Sequence, residues 1–389
     1  MKSSKIIFLL ILSVFNFVKC KKEIGPTVLV DCVTPDLNLN HPKKDKVNAI
    51  IVDYIKKGLP GISVLIQDSS GYYAKAGGYA DIENKIPFSL CHVSKAASIT
   101  KLLVGTLTMK LQEEGLLNIE DKIDKYIEDA ILKKIDKAEG KTIKQLMNHT
   151  TGIFDVITST KFYLAILNTP NKNWTQEELL AFVYGEKGYV HRAPYEAHYS
   201  NTNTLLLSMC IEKATGKKHN ELLRSKIFDY LGMNNTFYQG REVLPDFTAQ
   251  GYFDLHNNNK IVNVTNLVTG SGNGYGGVFS NVFDLNKFIK ALLIDKTLLK
   301  QSSLDLMLEF VPEDEDFYTG VGMLKKFTNK PAYGIGHTGR DLGYSADLFY
   351  FPEKGRTLIF FVNYGTNGNS SLKPIFRQFE SDIADVLLE

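Results

Sequence analysis

Residues 96–111, which read AASITKLLVGTLTMKL, decide how the chain folds. Leucines recur one turn apart along this stretch, and Gly115 follows where a helix would end, so the pattern predicts a buried α-helix. Its opening turn carries Ser98 and Lys101, whose side chains would share one face of that helix. At this spacing the two are either ordinary polar residues near a helix start or a nucleophile with its activating base.

The composition is that of a folded protein with no electrostatic preference for nucleic acid or a membrane surface. The 389 residues are 44% hydrophobic and 23% charged, and the formal net charge at pH 7 is only +2. So small a net charge favours neither kind of partner. The eight histidines show no metal-ligand spacing, so we expect neither a metal ion nor another cofactor.

The first twenty residues have the pattern of a secretory signal. A basic start, MKSSK, precedes an apolar run over residues 6–18 that suits a signal core and is too short to span a bilayer. Cys20 stands where a bacterial lipoprotein would be lipidated, although the bulky residues before it depart from that pattern. We therefore expect an exported, periplasmic or envelope-associated protein. A lipid on Cys20 that tethers the chain to a membrane, or a short uncleaved anchor, stays open.

The remaining chain predicts an α+β fold. We interpret residues 21–45, which are polar and contain prolines, as a tether, and residues 46–389 as the folded domain. Strand patterns over 46–97 and 241–389 enclose a block of helical patterns over 98–240. This order predicts an antiparallel β-sheet flanked by helices and interrupted by an inserted all-α subdomain.

Three further cysteines, Cys32, Cys91 and Cys210, show no Cys-x-x-Cys spacing, so we expect no zinc site. Their odd number argues against a fully paired disulfide framework. We interpret them as buried structural cysteines, with one bridge as the alternative.

Two motifs could contribute chemistry besides the first. Tyr199 and Asn201 lie on either side of one serine just before a helical pattern, so both could face one cleft, where a tyrosine can shuttle a proton and an amide can hold a carbonyl. His337, Thr338 and Gly339 lie in a glycine-rich strand pattern that allows a ligand to approach the backbone. Taken singly, each motif fits a structural role equally well.

The Ser-x-x-Lys pattern is not specific by itself, because Ser370 and Lys373 repeat it near the C-terminus. The ordered set of Ser-x-x-Lys, Tyr-x-Asn and His-Thr-Gly, however, resembles the serine β-lactamase and penicillin-binding protein superfamily. The resemblance covers residues 46–389 and points to the branch with tyrosine in the second motif: class C β-lactamases, D-alanyl-D-alanine carboxypeptidases and related esterases. Of the two Ser-x-x-Lys serines, the resemblance selects Ser98, because only this one precedes the tyrosine motif.

The resemblance implies catalysis through an acyl-enzyme. Ser98 would be the nucleophile, Lys101 and Tyr199 together would take its proton, and Asn201 would hold an amide group of the substrate. Which of Lys101 and Tyr199 is the principal base stays open.

The resemblance also implies that the backbone N–H groups of Ser98 and Arg340 form an oxyanion hole. His337, Thr338 and Gly339 would contact the substrate, with the histidine steadying either the catalytic tyrosine or the far end of the substrate. Class C β-lactamases usually have lysine at the position of His337, so histidine favours the carboxypeptidase and esterase members. We expect the Arg340 side chain to point to solvent, with recognition of a substrate carboxylate as the alternative.

The sequence thus predicts an exported serine hydrolase of the D-alanyl-D-alanine carboxypeptidase type that acts on peptidoglycan peptides. An esterase or a class C-like β-lactamase on the same scaffold is the alternative, because a fold does not fix the substrate. A catalytically idle penicillin-binding or sensor protein is a third hypothesis. The predicted partner is a small peptide, ester or β-lactam, and the oligomeric state stays open.

Overall fold

A nine-stranded antiparallel sheet organises the fold in the computed structural model, which describes residues 24–34 and 37–389. The strands are β1 (Gly61–Asp68), β2 (Gly71–Asp81), β3 (Ile86–Pro87), β4 (Ser94–Lys95), β5 (Phe237–Tyr238), β6 (Tyr252–Phe253), β7 (Val262–Asn263), β8 (Val278–Ser280), β9 (Val311–Pro312), β10 (Tyr318–Thr319), β11 (Leu324–Lys326), β12 (Gly334–Asp341), β13 (Tyr344–Phe351) and β14 (Arg356–Val362). The large sheet has the order β3-β2-β1-β14-β13-β12-β11-β10-β9, and two small sheets have the orders β4-β8-β5 and β6-β7.

Helices cover both faces of this sheet and fill the middle of the chain. The α-helices are α1 (Lys44–Lys56), α2 (Ile99–Glu113), α3 (Asp129–Leu132), α4 (Ile143–Met147), α5 (Thr160–Asn168), α6 (Gln176–Leu180), α7 (Asn201–Thr215), α8 (His219–Leu223), α9 (Val282–Ile289), α10 (Gln301–Met307) and α11 (Lys373–Leu388). Short 3-10 turns occupy Ile123–Lys125 and Val156–Thr158, and π-helical turns occupy Arg224–Phe228 and Lys290–Ile294. The predicted α+β fold, an antiparallel sheet flanked by helices, is confirmed.

Alternation along the central strands explains why both faces of the sheet are covered. In β14, Leu358 and Phe360 belong to the hydrophobic cluster that contains residues of α1 and α11, whereas Ile359 and Phe361 belong to the cluster around α2. Successive side chains of a strand point to opposite faces, so an unbroken apolar run must be buried on both sides.

The predicted helix over residues 96–111 is α2, and it lies at the centre of the larger cluster. Each residue from Ile99 to Met109 is buried, so the helix has no solvent-facing side in that stretch. Gly115 follows the helix with a positive φ of 72°, the left-handed conformation that commonly ends a helix. Because α2 is enclosed all round, polar groups on its first turn are removed from water.

Residues 24–34 of the predicted tether pack against the domain. The backbone N–H of Thr27 donates to Asp81, its hydroxyl donates to the carbonyl of Thr248, and the N–H of Val28 donates to the carbonyl of Asp246. These bonds attach the segment to the folded body, which differs from a free tether. The predicted signal segment and Cys20 lie outside the described residues. No helix within the described ranges is long and apolar enough to span a membrane.

Cys32 and Cys91 form a disulfide, so our interpretation of both as unpaired buried cysteines is wrong and the one-bridge alternative is correct. The bridge ties the N-terminal segment to the chain just before β4. Cys210 is the free cysteine among the described residues, and it is buried in α7 as expected.

Replacing both Cys32 and Cys91 by serine will lower stability. The bridge closes a loop with a sequence separation of 59 residues, and chain entropy predicts a loss of about 4 kcal/mol for such a loop. Thermal and denaturant unfolding of wild type and double variant measure the difference. A reductant should destabilise the wild type to the level of the variant and leave the variant unchanged. Equal stability of both oxidised proteins contradicts the prediction.

Candidate active site

The amine of Lys101 is surrounded by three oxygen atoms at the start of α2. Its Nζ lies 3.0 Å from Oγ of Ser98, 2.7 Å from Oδ1 of Asn201 and 2.6 Å from the backbone carbonyl oxygen of Tyr275. A neutral amine has two N–H donors and one lone pair. The amide and carbonyl oxygens can accept those two hydrogens, which leaves the lone pair for the hydroxyl hydrogen of Ser98.

Burial prepares Lys101 to act as a base. The residue is only 3% exposed, and loss of water lowers its pKa to about 7, against an opposing effect of the carboxylates of Asp155 and Asp341. Near neutral pH a large fraction of the amine is therefore unprotonated. This lysine combines the right contact with the right protonation state for activating a serine.

Ser98 lies at a sharp change of backbone direction immediately before α2. Ala97 has a φ of +48°, which costs a residue other than glycine about 1–3 kcal/mol. Ser98 occupies the N-cap position, yet its side chain makes no capping hydrogen bond. Its hydroxyl is therefore available to Lys101 rather than committed to the helix end.

Tyr199 lies beside both the amine of Lys101 and the hydroxyl of Ser98. Nζ of Lys101 is 4.9 Å from the centroid of the Tyr199 ring, and the ring of His149 packs on it with centroids 4.5 Å apart. The phenol oxygen is buried and makes no hydrogen bond of good geometry with the described residues. Burial raises the pKa of Tyr199 well above its usual value, partly offset by the nearby Ser98 hydroxyl. The phenol therefore keeps its proton and can donate it.

The motif analysis did not single out His149, which holds the segment after Tyr199. Its Nδ1 accepts from the backbone N–H of Ser200 at 3.3 Å and from the side-chain amide of Asn203 at 3.1 Å. Both partners are donors, so the imidazole hydrogen resides on Nε2. Burial, with the charge of Lys101, holds the pKa of His149 well below its usual range.

Asp155, also missed, occupies the position behind Asn201. Its carboxylate accepts the Asn201 backbone N–H at 3.0 Å and the side-chain amide at 3.1 and 3.2 Å, and the Ile157 N–H at 3.3 Å. Burial raises the pKa of Asp155, while the hydrogen bonds from Asn201 and Ile157 act in the opposite direction because they favour the charged carboxylate. The Asn201 amide therefore bridges Asp155 and Lys101, although the side chain also borders the cavity at Ser98.

The side chains of successive residues in β12 lie on opposite faces of the sheet. His337 is 2% exposed, its ring centroid lies 6.3 Å from that of Tyr199, and its Nδ1 lies 2.6 Å from the carbonyl of Thr338. Burial and the charge of Lys101 lower the pKa of His337 to about 3, so the imidazole is neutral. Thr338 lies on the opposite face, where it lines a separate cavity of about 540 Å³.

Gly339 brings β12 against the segment that carries Ser98. A Cβ atom at this position would lie 2.0 Å from the carbonyl oxygen of Ala96, a distance that no side chain can adopt. The neighbouring strand β11 pairs only with residues 334–336, so the rest of β12 has its edge towards the start of α2. The backbone of β12 at Gly339 therefore lies directly against the chain two residues before Ser98.

The side chain of Arg340 does not point to solvent, and our expectation on this point is wrong. One guanidinium nitrogen lies 2.8 Å from Asp347, and the other pairs with Glu380 of α11. These two carboxylates raise the pKa of Arg340 above its usual value. The guanidinium thus forms ion pairs inside the fold, while Arg340 also borders the cavity at Ser98 and the larger cavity beside α11.

A narrow cavity of about 20 Å³ opens at Ser98. One wall is apolar and aromatic, formed by Ile157, Phe162 and Tyr163, and the other is polar and includes Ser271 and Asp341. It shares residues with the larger cavity of about 540 Å³ beside α11. A substrate could therefore place one small group at Ser98 and extend into the wider space.

The second Ser-x-x-Lys pair is not arranged as a nucleophile and base. The hydroxyl of Ser370 donates to the carbonyl of Gly365 at 3.2 Å, and the amine of Lys373 donates to the carbonyl of Gly368 at 2.7 Å. Both side chains hold the loop that leads into α11.

The chain belongs to the Beta-lactamase family, whose model matches residues 47–378. The predicted superfamily of serine hydrolases, of the penicillin-binding protein and β-lactamase type, is thereby confirmed. Penicillin-binding protein 4* of Bacillus subtilis is 28% identical over 305 residues, covering 75% of this chain and 65% of the relative. Protein flp of Staphylococcus aureus is 25% identical over 332 residues, covering 84% and 64%. The chain thus spans slightly less than two thirds of these relatives.

Solved structures agree with this assignment. A D-amino acid amidase from Ochrobactrum anthropi, in complex with L-phenylalanine amide, superposes with a TM-score of 0.78 at 25% identity, covering 89% of this chain and 98% of that one. The octameric penicillin-binding protein homologue from Pyrococcus abyssi superposes with a TM-score of 0.73 at 27% identity, covering 89% and 78%.

Replacing Asp155 by asparagine will shift the pH dependence of hydrolysis. The wild-type rate should rise with pH through the pKa of Lys101, about 7, because the neutral amine is the active form. The Asp155 carboxylate raises that pKa, so its removal should move the rise to lower pH. Profiles of kcat/KM against pH measure the shift.

Glu313→Gln is the matched control. It removes a partly buried carboxylate that accepts the backbone N–H of Tyr199 at 2.9 Å and is not among the groups that act on the pKa of Lys101. In this variant kcat/KM should rise with pH over the same pH range as in the wild type. An unshifted profile for Asp155→Asn contradicts the assignment of Lys101.

Replacing Gly339 by alanine will reduce hydrolysis at least about 100-fold. The added methyl group forces β12 away from Ala96, and displacements of about 1 Å at a reacting centre can have such an effect. Gly334→Ala in the same strand is the control, because its Cβ would meet side-chain atoms of Phe349 and Phe351 at 3.1–3.3 Å and no backbone atom among its three nearest neighbours. Steady-state kinetics and melting temperatures of both variants test this. Full activity in Gly339→Ala would contradict the close approach.

Proposed function

We propose that this protein is a serine amidohydrolase that forms an acyl-enzyme on Ser98 and cleaves the amide bond following a D-amino acid, as D-alanyl-D-alanine carboxypeptidases do. The contact between Lys101 and the Ser98 hydroxyl, together with a lysine pKa of about 7, carries the proposal. The names of the similar proteins support the substrate class, since one is a D-amino acid amidase and two are penicillin-binding proteins or homologues of them.

In the acylation step, Ser98 Oγ attacks the carbonyl carbon of the substrate while its proton passes to the neutral amine of Lys101. The carbonyl oxygen becomes an oxyanion, which accepts hydrogen bonds from the backbone N–H groups of Ser98 and Arg340. Loss of one such donor typically lowers the rate about 10²–10³-fold, so the contribution of this hole is large.

Tyr199 donates the proton to the leaving amine. Because its pKa is raised, the phenol holds a proton that it can pass to the nitrogen as the C–N bond breaks, and Lys101 then returns a proton to the phenol. In deacylation, water attacks the ester carbonyl, its proton passes to the same pair, and Ser98 recovers its hydrogen. Lys101 is the principal base in this scheme and Tyr199 the principal acid.

The electrostatics favour a substrate without a carboxylate near His337. The pKa of His337 is lowered to about 3, so this position supplies no positive charge for a substrate carboxylate, which favours a D-amino acid amide over a β-lactam and over a peptide with a free C-terminal carboxylate. The apolar wall formed by Ile157, Phe162 and Tyr163 suits the side chain of a small or aromatic D-amino acid.

Export of the protein is part of the proposal. The apolar run over residues 6–18 is typical of a secretory signal, and the disulfide between Cys32 and Cys91 is of the kind that persists in oxidising compartments. An envelope location would bring the site into contact with peptidoglycan peptides.

The deciding experiment compares the purified protein with Ser98→Ala on D-phenylalanine amide, L-phenylalanine amide, an acylated D-alanyl-D-alanine peptide, a p-nitrophenyl ester and benzylpenicillin. We expect turnover of at least one of the two D-configured amides, little of the L-amide, and a loss of at least about 10⁴-fold in the variant. Intact mass after brief exposure to benzylpenicillin should show an adduct on wild type alone.

The remaining outcomes each overturn part of the proposal. Turnover of the ester without either D-amide identifies an esterase. Rapid destruction of benzylpenicillin without an adduct identifies a β-lactamase. Failure with every substrate identifies a catalytically idle member of the family.

A further inference from the structure

A buried ion pair connects the two chain segments that flank the reacting centre. Nζ of Lys95 lies 2.9 Å from Oδ2 of Asp341, and the two side chains are 3% and 9% exposed. Lys95 ends β4 three residues before Ser98, and Asp341 ends β12 directly after Arg340. Neither residue belongs to the three sequence motifs.

Each partner is ordered by contacts within its own segment. Lys95 pairs with Phe279 of β8 through the small sheet, and the following residue, Ala96, donates its N–H to the carbonyl of Val278 at 2.8 Å. Asp341 accepts the backbone N–H of Leu342 at 2.8 Å through Oδ1. These contacts do not fix the two segments relative to one another, whereas the ion pair joins them directly.

A further bond attaches the ion pair to the loop that binds Lys101. The hydroxyl of Thr269 donates to Oδ2 of Asp341 at 2.9 Å. The carbonyl of Thr269 accepts the phenol hydrogen of Tyr275 at 2.8 Å, and the carbonyl of Tyr275 accepts from Lys101. Asp341 thus contacts the segment that leads to Ser98 and the loop whose carbonyl binds Lys101, and it follows Arg340 directly in the chain.

We propose that the ion pair between Lys95 and Asp341 sets the width of the oxyanion hole by holding the backbone of Ser98 at a fixed distance from the backbone of Arg340. This inference rests on the proposed function. Lys95 and Asp341 are positioning residues, because they act through the backbone N–H groups of their neighbours and touch neither the reacting carbonyl nor the leaving group.

The geometry explains why a charged pair is used at this place. The two backbones approach so closely that Gly339 has no room for a Cβ atom beside Ala96, so side-chain packing cannot set the spacing there. A pair of buried opposite charges resists separation, because each would be left uncompensated in a dry environment. The bond to Thr269 adds a third attachment.

The test uses Lys95→Met, Asp341→Asn and the double variant in the full chain. The single variants leave one buried charge without its partner and so risk misfolding, whereas the double variant leaves none. Near-ultraviolet circular dichroism and melting temperature establish folding. The measurements are kcat and KM on the best D-amide at the pH-independent plateau, and the dissociation constant of a boronic acid whose tetrahedral adduct places an oxygen in the hole.

We expect kcat to fall about 10–100-fold in each variant while KM changes less than about threefold, since the hole acts on the transition state. The dissociation constant of the boronic acid should increase by a similar factor. The double variant should be no worse than the poorer single variant, because one contact is broken in all three. Below the plateau, Asp341→Asn should also move the rise of activity to lower pH, as this carboxylate raises the pKa of Lys101.

Arg224→Met with Glu242→Gln is the matched control. This pair, with nitrogen and oxygen 2.7 Å apart, joins the end of α8 to the chain after β5 and contacts none of the site residues described above. Its kcat should equal that of wild type.

Two results would overturn the inference while leaving the proposed function intact. One is a folded double variant with wild-type kcat and boronic acid affinity. The other is an effect of Asp341→Asn confined to KM and to substrates with a free α-ammonium group, which would make Asp341 a substrate-binding residue. A wild-type protein that hydrolyses none of the substrates would instead overturn the proposed function, and this inference with it.

Discussion

Exclusion of water from the amine of Lys101 is the constraint on which the site depends. Burial lowers its pKa to about 7, and the three oxygens around Nζ then decide where its hydrogens and its lone pair point. The amide oxygen of Asn201 and the carbonyl oxygen of Tyr275 accept the two hydrogens of the neutral amine, so its lone pair points to the hydroxyl of Ser98. A lysine at the same spacing on an exposed helix would stay protonated and could not act as a base. The proposed catalytic role of Lys101 therefore depends on the complete enclosure of α2 more than on the motif itself.

The same enclosure settles the protonation of the neighbouring groups. Burial lowers the pKa values of His149 and His337 and raises that of Tyr199, so two imidazoles and a phenol are all neutral near pH 7. Asp155 supplies a negative charge behind the amide that Lys101 contacts. A second cation beside the amine would depress its pKa further and weaken it as a base, while neutral rings fill the space without that effect. The position of His337 thus contributes shape and a fixed orientation rather than charge.

Local patterns in the sequence were sufficient for the framework, whereas the candidate nucleophile was selected by the resemblance of the ordered motifs to a known superfamily. The period of α2 and the apolar runs of the central strands are local properties, and the order of three motifs distinguished Ser98 from Ser370. Contacts between distant segments were not accessible in this way. Asp155 bonds to Asn201, 46 residues away, and Cys32 pairs with Cys91, 59 residues away, while neither spacing carries a signal. Strand neighbours in the sheet are equally invisible to a search for periodicity.

The failed expectation about Arg340 shows how a side chain can serve a reaction that it does not contact. A lone arginine beside a cleft is normally assigned to solvent or to a substrate anion, because burial of an unpaired charge is costly. Here Asp347 from β13 and Glu380 from α11 form ion pairs with the guanidinium. The Arg340 side chain therefore lies on the face of β12 opposite to the one on which Gly339 contacts Ala96. The arginine is thereby anchored on the far side of the sheet, which restricts rotation of its own backbone N–H. In the proposed mechanism, the ion pairs of the Arg340 side chain with β13 and α11 therefore support the oxyanion donor on its own backbone.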